Sequence, residues 1–218
     1  MAPRSEEGPM SQEGADRRRR EVLRLYAEAL ASVGRRVQGV AANQWRTPSP
    51  CSAQSVRELV NHLTVEQLWV PELLRGATPC QVGGRFAGDV LGADPAATWC
   101  AAAAAAQAAF GEPGALGLAV RLSTGERPAL EYCAQLTVDL TVHTWDLARA
   151  TGQDPHLAPE LVEFALHELA PRPGPPVAVG CFAPAVPAAS QADPQSRMLG
   201  LVGRRAAPQP PFDPELTD

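Results

Sequence analysis

Two carboxylates lie close to a histidine in the segment DLTVHTWDLARATG, residues 139–152. Asp139 precedes His143 by four positions, and Asp146 follows it by three. Residues four apart are neighbours on an α-helix, so Asp139 and His143 can reach one point in space. An imidazole and a carboxylate that meet in this way are typical of a metal site or of an ion pair. Whether these side chains are exposed or buried depends on which face of the helix carries them.

The helix predicted over about 128–151 places His143 on its apolar face. At about 100° per residue, His143 falls roughly 20° from the direction of Leu136, and Asp139 and Asp146 fall on the margin of the same stripe. Burying a carboxylate beside an imidazole is costly unless something compensates. An ion pair would compensate for an isolated pair, whereas a second inward histidine would favour a metal.

The helix predicted over about 53–75 supplies a second histidine. His62 lies at the edge of its apolar stripe, and Glu66 follows four positions later. Two imidazoles and one carboxylate suit zinc or another first-row metal and leave coordination positions open, as in catalytic sites. Glu66 and Asp146 are candidate catalytic residues that would orient the ligands, relay protons or serve as spare ligands. Spacing alone leaves a metal site and an ion pair equally open.

Another acid–histidine pair, Glu163 and His167, has the same spacing. The apolar stripe of its helix points the opposite way, so we predict that this pair faces solvent. His156, in the loop GQDPHLAP, is also expected to be solvated. Spacing is therefore not sufficient to identify a site.

Three further residues have two interpretations each. Trp69 and Trp145 could line a cofactor pocket, although core packing explains each of them equally well. Cys51 lies just before a helix N-terminus, where the pKa of a thiol can be lowered. We favour a small residue packed under the TPSPC turn.

The composition excludes several kinds of site. The chain contains no lysine, so all 19 basic residues are arginine. A lysine nucleophile, a Schiff base and a P-loop are therefore excluded. The net charge of −5 gives no general reason to expect nucleic acid as a partner. The run RRRR at 17–20 leads into a predicted helix and is expected to be a solvated first turn.

Cysteine usage and hydropathy predict the compartment. The five cysteines are scattered without a CxxC pair, which fits reduced cytoplasmic thiols better than disulfides or a thiolate zinc site. The stretch ATWCAAAAAAQAAF at 97–110 is too weakly hydrophobic to span a bilayer. The sequence thus predicts a soluble, cytoplasmic protein with no membrane partner.

The pattern of elements predicts an all-α protein. Four long amphipathic helices, a shorter fifth helix and one short helix capped by Asp193 are expected, with one extended stretch, LGLAVRLS. The predicted organisation is a disordered tail over 1–12, a helical bundle over 13–170, a proline-rich extension with one short helix over 171–205 and a disordered tail over 206–218.

Two long motifs resemble a known family. NQWRTPSPCSAQSVRELVNHLTVEQLWVPELLRG and QLTVDLTVHTWDLARATGQD resemble DinB-like metal-binding proteins, in particular actinobacterial members related to the metal-binding domain of mycothiol-dependent maleylpyruvate isomerase. The resemblance covers about 15–205. It implies a DinB-like up-down four-helix bundle that holds one divalent metal on His62, Asp139 and His143. Zinc is the first choice for this metal, with nickel or iron as alternatives.

This sequence also departs from the family pattern. Asp139 stands where the isomerase has glutamate, and its shorter arm could change the metal or leave a water between them. Ser55 stands where relatives have an acid in the first turn, which predicts a weaker helix start. Residues 171–218 are too short to supply the isomerase's second domain in full, so its activity is not carried over.

Three functions compete at this point. The first is a metal-dependent transferase or isomerase that joins a small thiol, mycothiol or a similar compound, to an electrophilic substrate. The second is a non-catalytic, stress-related bundle in which the metal rigidifies the core. The third is a metal-free helical protein that forms a homodimer.

Overall fold

The computed structural model describes residues 12–51, 54–170, 182, 184–186 and 192–205. Within these residues the fold is mostly helical, with seven helices and one two-stranded sheet, as the all-α prediction requires. None of these helices combines the length and apolar character that a bilayer span needs. Both predicted disordered tails, apart from Gln12, and about half of the proline-rich extension lie outside the described residues.

The long predicted helices are present, with ends within a few residues of the expected ones. Two features were not predicted: the short helix α3, followed by a 3-10 turn over Gly83–Phe86, and the second strand of a hairpin. The elements are α1 (Gln12–Gln38), α2 (Val56–Leu74), α3 (Pro79–Val82), α4 (Pro95–Gly111), β1 (Ala119–Leu122), β2 (Gly125–Pro128), α5 (Ala129–Thr151), α6 (Pro159–Leu169) and α7 (Pro194–Leu201).

The start of α2 corrects one expectation. Ser55 is the N-cap of this helix rather than a residue of its first turn. Its hydroxyl accepts a hydrogen bond from the backbone N–H of Glu58, whose carboxylate accepts one from the N–H of Ser55 at 2.7 Å. This reciprocal capping box satisfies two backbone donors, so the prediction of a weak helix start is wrong.

Each of the four long helices packs against two of the others. Helix α1 packs against α4 and α5, and α2 packs against the same two helices. Helix α5 also contacts α6 on another side, and every residue from Leu136 to Ala148 is buried. A helix that is buried all round lies inside the core. The sequence predicted one apolar stripe on α5, whereas the middle of this helix is buried on every side.

The segment after α6 returns to the core through α7. Met198 and Leu199 are fully buried where α7 packs against α6. Gln195 anchors the start of this helix by accepting a hydrogen bond from Leu157 N–H at 2.9 Å and donating one to the Pro155 carbonyl at 3.0 Å. The start of α7 is consequently tied to the segment between α5 and α6.

Candidate metal centre

Helices α2 and α5 bring together the three residues that the resemblance singled out. One ligand atom each of His62, Asp139 and His143 lies within 4.8 Å of the others. His143 and Asp139 are 0% and 2% exposed, whereas the side chain of His62 keeps 26% of its exposure. The two imidazole rings meet edge to face, with centroids 5.9 Å apart. The group therefore has a closed inner side on α5 and an open side on α2.

The donor atoms of this group fit a small divalent cation. His143 Nε2 lies 3.5 Å from Asp139 Oδ1, and donors around a tetrahedral zinc ion lie roughly 3.3 Å apart. Among the described residues, no hydrogen-bond partner is found for His62 Nε2, His143 Nε2 or either carboxylate oxygen of Asp139. Buried polar atoms are nearly always satisfied. A cation between these atoms would use every one of them.

Glu66 reaches the same place. Its Oε1 lies 3.6 Å from His62 Nε2, a buried nitrogen for which no hydrogen-bond partner is found among the described residues. The carboxyl group is also close enough to Asp139 to lower the pKa of that residue, after the larger effects of burial and of the histidines. Glu66 is 23% exposed, so it lies between the donor group and solvent. It can serve as a further ligand or exchange protons with a bound molecule.

Burial and neighbouring charges set the protonation of the metal-free site. Burial opposes ionisation of Asp139, but His143, His62 and Glu66 together outweigh it and the pKa of Asp139 falls below its usual value. Burial also opposes charge on His143, yet Asp139 and then Asp146 raise its pKa to about 9. Burial lowers the pKa of His62. The neutral His62 is ready to bind a metal, whereas His143 must first lose a proton.

The other nitrogen of His143 is held by Asp146. Nδ1 lies 2.9 Å from Asp146 Oδ2, as the predicted orienting role requires. Asp146 in turn accepts hydrogen bonds from Arg204, at 2.9 Å from Nη2 and 3.4 Å from Nε. No role for Arg204 follows from the sequence, because nothing in the local pattern of VGRRAA indicates a buried arginine. Only the return of the chain through α7 brings it to α5.

Comparison with known proteins decides the family. The model of the mycothiol maleylpyruvate isomerase N-terminal domain matches residues 26–148, more than half of the chain. The chain belongs to this family. The matched range includes His62, Asp139 and His143, and it ends before the segment that carries Arg204.

Two relatives come from Mycobacterium tuberculosis, one from strain CDC 1551 / Oshkosh and one from strain ATCC 25618 / H37Rv, and both are described as uncharacterized. Each is 32% identical to this chain over 172 residues, which cover 76% of this chain and 87% of the relative. No solved structure gives a significant match.

The short side chain of Asp139 reaches the donor group. The isomerase is expected to have glutamate at this position. The shorter side chain of Asp139 therefore raised the question whether its carboxylate reaches the other donor atoms. Because Asp139 and His143 lie one turn apart on α5, Asp139 Oδ1 comes within 3.5 Å of His143 Nε2 without the additional methylene. The distance allows direct coordination.

The two tryptophans lie in different places. Trp69 stacks edge to face on Phe86 with ring centroids 6.0 Å apart, and Phe86 lines an open pocket of about 400 Å³ beside His62. Trp145 is buried and follows His143 by two positions, which puts it about 160° away around α5. Arg149 covers its ring at 5.8 Å. The structure thus brings Trp69 near the pocket and leaves Trp145 on the side of α5 away from His143.

Cys51 takes part in a second group of donor atoms. It is 1% exposed, in agreement with a residue packed under the turn, and it lies within 4.8 Å of ligand atoms of His143 and Asp146. These two side chains already bond to each other, and Asp146 also pairs with Arg204. A cation placed there would meet the positive guanidinium group. The group on His62, Asp139 and His143 is therefore the better metal site.

Proposed function

We propose that this protein binds one divalent metal on His62, Asp139 and His143 and uses it to activate a small thiol for reaction with an electrophile. The observation that carries the proposal is the convergence of these donor atoms, within 4.8 Å, with no hydrogen-bond partner in the described part of the chain. The description of the matched family names mycothiol, which supports a thiol of that type as the substrate.

The proposal includes the architecture and the metal. We infer a DinB-like up-down four-helix bundle from the contacts of α1, α2, α4 and α5 and from the family match. Two imidazoles and one carboxylate favour zinc, with nickel and iron as alternatives. We also propose a cytoplasmic location, with a small thiol and an electrophile as partners and no membrane partner. The net charge of −5 gives no general reason to expect nucleic acid.

Access to the site is proposed from the α2 side. His62 and Glu66 keep about a quarter of their exposure there, and the adjacent pocket is open to solvent. Gln54 has a buried carbonyl oxygen that accepts no hydrogen bond from the described residues, so it can accept one from an N–H or O–H group of a ligand. The residues that line the pocket are Gln54, Glu58, Asn61, His62, Val65, Phe86 and Gly88.

The chemistry divides between the metal and the side chains. A bound divalent ion lowers the pKa of a thiol that reaches it, so that a thiolate is available at neutral pH. Glu66 accepts the proton that the thiol loses. The sulfur then bonds to one carbon of an activated double bond, the π electrons move to the adjacent group, and Glu66 returns the proton there. The carbon–carbon bond that was the double bond is now single and can rotate. Reversal of the steps after this rotation restores the double bond in the other configuration and releases the thiol.

Elemental analysis of the purified protein tests the metal site. We expect a stoichiometric metal in the wild type and its loss in His62→Ala and His143→Ala. The matched control is His167→Ala, because His167 is also a helical histidine but is exposed. Retention of the metal in both site variants would overturn the site.

Turnover is tested separately with the metal-loaded protein. Thiol consumption is followed against a panel of electrophiles for the wild type and Glu66→Gln, and we expect the variant to lose about 10²- to 10⁴-fold in rate, the usual contribution of general acid–base catalysis. A loaded wild type that transfers no thiol, together with a large stability loss on chelation, would instead support the non-catalytic metal-binding function, which the deep burial of Asp139 and His143 favours.

A further inference from the structure

We propose that Arg204, in the segment that follows the bundle, is a positioning residue of the metal site that acts on His143 through Asp146. This inference rests on the proposed binding of a metal by His143. It makes the C-terminal segment, which lies outside the family match over residues 26–148, a working part of the site.

The contacts form an unbroken path from Arg204 to the metal donors. The guanidinium group donates from Nη2 to Asp146 Oδ2 at 2.9 Å, and the same oxygen lies 2.9 Å from His143 Nδ1. The opposite nitrogen, His143 Nε2, faces Asp139 at 3.5 Å. When Nδ1–H donates to a carboxylate, the lone pair of the imidazole is on Nε2 and the ring orientation is fixed. Asp146 therefore selects the form of His143 that can bind a metal.

Burial explains why Asp146 needs Arg204. His143 and Asp146 are 0% exposed and Arg204 is 5% exposed, so all three are shielded from solvent. A buried carboxylate with a single histidine partner is poorly compensated, and removal of its cation leaves an uncompensated charge. Arg204 supplies that cation with two nitrogen atoms, which fixes the position of the carboxylate as well as its charge.

The guanidinium group is itself held in place. Arg204 Nη1 donates to the Val202 carbonyl at 2.8 Å, and the backbone N–H of Arg204 donates to the Leu199 carbonyl at 2.9 Å. The ring of Phe182 is near both groups, with its centroid 5.1 Å from the guanidinium carbon of Arg204 and 6.1 Å from the imidazole centroid of His143. A side chain restrained on several sides can transmit its position to Asp146.

The test compares zinc affinity, by competition with a chelator, in the full-length protein and its variants. We expect Arg204→Gln to bind zinc about 10- to 100-fold more weakly, the usual effect of removing a group that orients a metal ligand. Arg204→Lys, which keeps the charge, should recover part of the loss. The matched control is Arg197→Gln, because Arg197 is an exposed arginine of α7, the helix that ends three residues before Arg204. Wild-type affinity in Arg204→Gln would overturn the inference.

A spectroscopic readout separates positioning from general stabilisation. Cobalt(II) in place of zinc reports ligand geometry through its d–d absorption bands. These bands should shift in Arg204→Gln and remain unchanged in Arg197→Gln. Unchanged bands in Arg204→Gln would show that Arg204 does not position His143.

A second variant decides the matter if Arg204→Gln fails to fold. The double variant Asp146→Asn/Arg204→Gln removes both charges, which is less costly than leaving one buried. It should still bind zinc about 10- to 100-fold more weakly than the wild type, and equal affinity would overturn the inference.

The outcomes also distinguish this inference from the proposed function. A wild type that binds no metal overturns both. Weakened zinc binding in Arg204→Gln supports the role of Arg204 even if no thiol transfer is detected, and that result counts only against the proposed reaction.

Discussion

On both α5 and α6 an acid is followed four residues later by a histidine, and these two pairs have opposite surroundings. Asp139 and His143 on α5 are 2% and 0% exposed, and both face His62 on α2. Glu163 and His167 on α6 are exposed, as their helical face predicted. The structure records no ion pair between these two residues, both of which it describes.

The difference shows what spacing contributes and what it does not. In both helices the spacing allows the two side chains to reach one point. Helix α5 is enclosed by α1, α2 and α6, so its pair loses water and gains the imidazole of His62 as a third donor. Helix α6 turns its apolar residues toward the core and its acid–histidine pair toward water. Metal chemistry requires the second helix as well as the pair.

The largest expected difference between the pairs is in metal affinity. Asp139→Ala should weaken zinc binding by more than about 100-fold, beyond the effect of losing an orienting group, because it removes a ligand. Glu163→Ala should leave zinc binding unchanged. Titration against a competing chelator measures both. Equal losses in the two variants would mean that the α5 pair has no special role.

The second difference concerns stabilisation by the metal. Zinc at about 100 times its dissociation constant should raise the free energy of unfolding by about 2.7 kcal/mol, and the melting temperature by several degrees. The rise should disappear with a chelator or in His143→Gln, and it should persist in His167→Gln. Thermal unfolding followed by circular dichroism measures it. A zinc-dependent rise in His143→Gln would place the metal elsewhere.

The third difference concerns pH in the metal-free protein. The pKa of His143 is raised to about 9, above its ordinary value of 6.5, so the folded state holds a proton that the unfolded state releases. The associated stability is complete below pH 6.5 and is lost as the pH rises through 9, by up to about 1.4 kcal/mol per pH unit. Urea denaturation with a chelator from pH 6.5 to 9.5 measures this decline. His143→Gln should abolish this decline of stability with pH. If His167→Gln abolished it as well, the assignment of the decline to His143 on α5 would be contradicted.

The smallest effect is expected within the surface pair. A double-mutant cycle of Glu163→Gln and His167→Gln should show no coupling beyond experimental error, because solvent screens exposed charges. Chemical denaturation of the two single variants and the double variant gives the coupling. A clear coupling energy would show that the spacing by itself creates an interaction.

The helices and the proposed ligands were largely predictable because their signals are local. Apolar periodicity predicted α1, α2 and α5 and put His143 on an inward face. Alanine content and the Asp94–Pro95 start predicted α4. The pairing of His62 with Asp139 and His143 needed the family resemblance in addition. The hairpin was predicted only in part, because GERP in β2 carries no apolar alternation and is mostly exposed.

The features that could not be predicted depend on contacts between distant parts of the chain. Arg204 lies 58 residues after Asp146, and no pattern in the sequence relates the two. The burial of α5 on every side also depends on α6, whose docking does not follow from the periodicity of α5 alone. Trp145 illustrates the consequence, since it is buried on the side of α5 away from His143.

The sequence by itself determined the helical class, the exclusion of lysine chemistry and the residue types that could bind a metal, since these follow from composition and from a period of about 3.6 residues. Tertiary structure brings His62 to Asp139 and His143, which helical periodicity alone did not predict, and it leaves the side chain of Glu66 partly exposed beside them. It also decided that Asp146 and Arg204 support His143 from behind. Helical periodicity gives the direction of a side chain, whereas its partners depend on which helices the whole chain packs against each other.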